Sequence, residues 1–94
     1  MNHKLCYKNN KLKEFRLSKN LTQNQVAALL GFHTNERISK WESGTKMPSV
    51  SNLFLLSMIY EVHPKDLYPD LVLSLFRTLQ DQQVFQLDEQ VQVL

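Results

Sequence analysis

The chain is predicted to be all-α, with five short helices in one small domain over residues 10–69, an arm at 1–9 and a helical tail over 70–94. Three observations lead there. Apolar residues recur at 3–4 spacing, and no alternating strand pattern occurs before the last ten residues. The two glycines and three prolines are spaced so that uninterrupted helices fit between them. Ser, Thr or Asn stands just ahead of several apolar stretches, where a helix start needs a capping oxygen.

The elements follow in order. A first helix is expected from about Asn10 to Lys19, with Leu12 and Phe15 facing inward and Asn20 closing it in a left-handed conformation. Thr22 and Gln25 have the spacing of a capping box, so a second helix begins there. Val26, Ala27, Leu29 and Leu30 supply its apolar stripe, and Gly31 ends it. Thr34 can cap a third helix whose inner side carries Ile38 and Trp41, with Gly44 as its stop. Ser49 caps a fourth over about Val50–Tyr60. His63 and Pro64 open a short fifth helix, proline suiting the first helical position, and Pro69 ends it. The tail carries Val72, Leu75, Phe76 and Leu79 at helical spacing from about Asp70 to Gln82. Its last residues, VFQLDEQVQVL, fit a helix extension, an edge strand or disorder equally well.

Composition narrows the function. No apolar run approaches the ~20 residues that a membrane span needs. The single cysteine, Cys6, forms no intramolecular disulfide and suits a reducing cytoplasm, the expected location. His3, His33 and His63 lack metal-ligand spacing, so no metal or other cofactor is expected. No phosphate-binding glycine loop, zinc-protease pair or nucleophile elbow occurs, and no enzymatic chemistry is implied. Net charge is only +2, yet residues 1–48 carry nine Lys/Arg against three acids, whereas residues 49–94 carry two against six. Such polarity would turn the front half toward a polyanion.

The segments LKEFRLSKNLTQNQVAALLG and ISKWESG, then Pro48-Ser49 and a leucine-rich helix, resemble the Cro/C1-type (XRE-family) helix-turn-helix domain over about Leu12 to Tyr68. The resemblance implies a five-helix, lambda-repressor-like fold, usually dimeric, that binds double-stranded DNA at an operator and regulates transcription. The third helix would be the one that enters the major groove. By position, the family's base-contacting residues correspond to Asn35, Glu36 and Lys40, with Arg37 and Ser39 beside them. Asparagine can bond adenine, lysine can reach guanine, and glutamate accepts from cytosine N4. The expected phosphate contacts are Arg16, Gln23, Thr34 and Lys46, helix N-termini being natural anion sites. Arg16 is also expected to pair with Glu42. Lys4, Lys8, Lys11 and Lys13 fit either a solvated face or an arm along the DNA backbone. His33 could meet a phosphate, and Glu36 could serve simply as an acid favoured at a helix N-terminus.

Two features depart from the family pattern. Six residues separate Gly31 from Ile38, one more than usual, which leaves the register at Asn35–Glu36 open by one. Glu61 stands where the family often has glycine. The fourth helix is also apolar almost all round, through Phe54, Leu55, Met58 and the following Val62. Such a helix needs a second covering partner. That partner is either the chain's own tail, through Leu75, Phe76 and Leu79, or another subunit, and a dimer to which both contribute is the preferred reading. The resulting expectation is a sequence-specific repressor acting as a homodimer on a palindromic operator. The alternative is an antitoxin or interaction module whose tail binds a partner protein.

Overall fold

The computed structural model describes residues 8–93, with side chains through residue 82. The expectations for His3, Lys4, Cys6 and the side chains of the last tail residues lie outside the described residues. Six helices follow in order: α1 Leu12–Ser18, α2 Gln23–Leu29, α3 Glu36–Ser43, α4 Val50–Tyr60, α5 Pro64–Leu67 and α6 Pro69–Val93. Leu12, Val26, Ala27, Ile38, Trp41, Leu56, Tyr60, Leu67, Tyr68 and Leu71 form a single core to which each of the six helices contributes.

Local chemistry explains most of the helix ends. Thr22 and Gln25 make the reciprocal capping box: the Gln25 amide donates to Thr22 Oγ1 at 3.0 Å, and the Thr22 amide donates to Gln25 Oε1 at 2.8 Å. The Ser49 hydroxyl accepts from the Asn52 amide at 3.2 Å. Gly31 and Gly44 close α2 and α3 at φ +84° and +82°, in the left-handed region where glycine is free of strain. Asn20 and Glu61 do the same for α1 and α4 at φ 58° and 60° without being glycine. Lys19 reaches across to Glu61 with Nζ 2.8 Å from Oε1, joining these two turns.

Four boundaries differ from expectation. α1 starts at Leu12 with Lys11 as its boundary residue; Asn10 stays outside, its Oδ1 accepting from the Leu12 amide at 3.0 Å. α3 starts at Glu36 and not beside Thr34; Asn35 is the boundary residue and makes no side-chain cap, while Thr34 Oγ1 accepts from the Glu36 amide only at a long 3.4 Å. Pro69 opens α6 instead of ending α5, which has already stopped at Leu67. A first-turn proline loses nothing there, because that N–H would have no helical partner. The tail helix itself runs well past Gln82, to Val93.

The tail does not blanket α4. Leu71 is buried in the common core, but beyond it no described side chain of α6 is buried. Val50, Phe54, Leu55 and Met58 stay exposed along α4, and Val72, Leu73, Leu75, Phe76 and Leu79 stay exposed along α6. α6 packs chiefly on α5, which in turn rests on α4.

Candidate nucleic-acid interface

α3 is oriented by its two large apolar side chains. Ile38 and Trp41, three residues apart, are buried, so the opposite side of the helix must face outward. Glu36, Arg37, Ser39 and Lys40 are accordingly exposed and Asn35 is half-buried. Asn10 braces the same helix from the start of α1, its Nδ2 donating to the Trp41 carbonyl at 3.1 Å.

A second brace crosses the interior. Arg16 Nε and Nη2 donate to the two carboxylate oxygens of Glu42 at 2.6 and 3.1 Å, while Nη1 donates to the Leu21 carbonyl at 2.9 Å. Both side chains of the pair are buried, and the hydrogen bond to Glu42 holds the Arg16 guanidinium above its ordinary pKa against the opposing effect of burial. Gln23 Nε2 completes the network by donating to Glu42 Oε1 at 2.9 Å. The carboxylate of α3 thus ties together the end of α1 and the first residue of α2. Arg16, expected also to face a phosphate, spends Nε, Nη1 and Nη2 inside the protein.

Two hollows flank α3 and divide the expected site residues between them. One, of about 500 Å³, is lined by Arg16, Leu17, Asn20 to Asn24 and Asn35, and so brings the N-terminus of α2 beside the start of α3. The other, of about 390 Å³, is lined by Glu36, Arg37, Lys40, Trp41, Lys46, Met47, Ser49 and Asn52. Gln23 therefore shares a surface with Asn35, while Lys46 shares one with Arg37 and Lys40. Thr34 and Ser39 are exposed but line neither hollow.

The two cations of α3 have specific partners. Lys40 Nζ lies 3.1 Å from Glu36 Oε2, one helical turn away. The Arg37 guanidinium lies over the Phe32 ring, 4.6 Å from its centroid, and that ring meets Trp41 edge-on at 5.9 Å. Sequence reasoning passed over Phe32, Asn24 and Asn52. The only available signal for Phe32 was an aromatic residue in the turn before an arginine; for the two asparagines it was their place in the first turn of a capped helix.

The helix-turn-helix family model matches residues 12–67, well over half of the chain. The chain belongs to the Cro/C1-type helix-turn-helix family. Within this helix-turn-helix, α2 and α3 are the paired helices, and residues 30–35 form the turn between them. The chain is 43% identical over 54 residues to a relative from Enterococcus faecalis described as an HTH-type transcriptional activator, BcrR. That match takes in 57% of this chain but only 26% of the relative. No solved structure matches. No helix among the described residues is long and apolar enough to cross a membrane.

Proposed function

We propose that this helix-turn-helix protein is a sequence-specific, double-stranded DNA-binding transcription regulator that acts as a homodimer on a two-fold-symmetric operator. The observation that carries the reading is the shared surface of two helix starts. The first residue of α2, Gln23, and the boundary residue of α3, Asn35, line one hollow, and the exposed cations of α3, Arg37 and Lys40, line the second. Helix N-termini attract phosphates, and a helix with a buried rear face and polar front can enter a major groove. In this reading Gln23 and Lys46 serve as phosphate contacts that set orientation, and Asn35, Glu36, Arg37, Ser39 and Lys40 serve as the residues that read base edges. Thr34 stands at the entrance to α3 as a further backbone contact. Arg16 acts through Glu42 as a brace that holds this surface in register.

The homodimer is supported by the apolar side chains left uncovered on α4 and α6. Val50, Phe54 and Met58 are 72%, 52% and 70% exposed and repeat every fourth residue on α4. A stripe of this kind is expected to be covered by another surface. A second copy would present the same stripe about a two-fold axis, and each protomer would set its α3, about 12 Å long, into one half-site. Half-sites would then lie about one helical turn, roughly 34 Å, apart.

Repression by operator occupancy is our reading of the output. The word activator in the name of the Enterococcus relative supports the other sign, although the similarity covers only 26% of that protein. Selection of binding sites from random duplexes tests the main reading: a two-fold sequence with that spacing is expected, and binding should weaken by about 0.9 log units per log unit of salt for every phosphate neutralised. Retention of no sequence, with no salt dependence, would refute it. Placing the selected site over or upstream of a reporter promoter then separates repression from activation.

A further inference from the structure

We propose that Phe32 is a positioning residue for Arg37, and that the stacked guanidinium selects guanine at one position of each half-site. The inference rests on the DNA-reading role given above and assigns a division of labour within α3. Phe32 is held from both ends. Its backbone amide donates to the Ala27 carbonyl at 2.9 Å as part of the α2 terminus, and its ring abuts Trp41, which is 5% exposed. The ring is therefore a rigid platform on which a long, exposed side chain settles.

A cation–π contact places the guanidinium carbon over the ring and does not consume the N–H donors of its edge. That edge is the part that bonds O6 and N7 of guanine bidentately. The two cations of α3 are not equivalent in this respect. The Lys40 ammonium is already offset by Glu36 at 3.1 Å, whereas Arg37 has no carboxylate partner among the described residues. Arg37 is thus the oriented and uncompensated cation of the helix, and Phe32, in the lengthened turn, is what orients it.

Binding-site selection with the full chain tests this directly, comparing wild type, Arg37→Ala, Phe32→Leu, Phe32→Tyr and the Arg37→Ala/Phe32→Leu double variant. Arg37→Ala should lower the guanine preference at one half-site position by roughly 10- to 100-fold. Phe32→Leu keeps apolar bulk but removes the π face, and should lower the preference at that same position by about two- to fivefold. Phe32→Tyr should retain it, and the double variant should be no worse than Arg37→Ala. Uniform weakening at every position by Phe32→Leu, or additive losses in the double variant, would overturn the assignment. Arg37→Lys leaves the core untouched should Phe32→Leu fail to fold; it should lower the guanine preference severalfold with an unchanged salt slope, because an ammonium reaches guanine without a planar two-donor edge, and an undiminished preference would also overturn the assignment. A wild type that selects no sequence refutes the regulatory reading itself, whereas one that selects a site indifferent to Arg37→Ala refutes only this inference.

Discussion

Arg16 and Glu42 form a buried two-point ion pair, with nitrogen–oxygen distances of 2.6 and 3.1 Å, that links the end of α1 to the end of α3. Removing one member leaves the other charge buried without its partner, at a cost of about 3–5 kcal/mol. Arg16→Ala and Glu42→Ala should each lower the unfolding free energy obtained from urea titration by that amount. The Arg16→Met/Glu42→Leu double variant should recover part of the loss, because no lone charge remains. Equal losses in the single and double variants would show that packing, and not charge, dominates.

Gly31 and Gly44 share a left-handed backbone but differ in their surroundings. A Cβ at Gly31 would meet nothing within 4 Å, whereas at Gly44 it would lie 2.5 Å from the Lys8 Cα, a backbone atom. Gly31→Ala should therefore cost only the conformational strain, about 1–2 kcal/mol. Gly44→Ala adds displacement of the Lys8 backbone and should cost measurably more in thermal denaturation. Equal shifts in Tm would contradict the close packing of Lys8 on the α3 terminus.

Burial pushes the Tyr60 phenol up to about 12 from its ordinary 10.0, with the nearby Glu42 carboxylate acting in the same direction. The folded chain then holds this proton more tightly than the unfolded chain. The resulting stabilisation is complete below about pH 10 and is lost as pH rises toward about 12. Tyr60→Phe should flatten that part of the stability–pH curve relative to wild type. Parallel curves through this window would rule out Tyr60 as the titrating group.

Met58 is 70% exposed, so an acid placed there should leave the folded protomer intact. On the dimer reading, Met58→Asp buries a charge in the interface and should shift light scattering from dimer toward monomer. DNA affinity should fall with it, since two half-sites would no longer be held together. A variant that remains dimeric at unchanged concentration dependence places the interface elsewhere.

The helix ends that were legible in the sequence rest on interactions within a few residues. The Thr22–Gln25 box, the Ser49 cap and the left-handed residues Asn20, Gly31 and Gly44 fall in this class. The start of α3 was not legible in this way, because Asn35 makes no side-chain cap and the helix is held by Ile38 and Trp41 against distant residues. Pro69 was ambiguous for a related reason: proline can follow one helix or open the next, and the burial of Leu67, Tyr68 and Leu71 around it decides between them.

By itself, then, the sequence determined the helical class, the order of the helices and the residue types on the outer side of α3, since spacing, caps and left-handed residues act over one or two turns. Tertiary structure alone decided that Gln23 and Asn35 share a hollow, that Glu42 joins Arg16 to Gln23, and that Arg37 rests on Phe32. It also decided that α6 leaves the α4 face open. These relations depend on how helices cross and which side chains meet over the core, geometry that no local run of residues encodes.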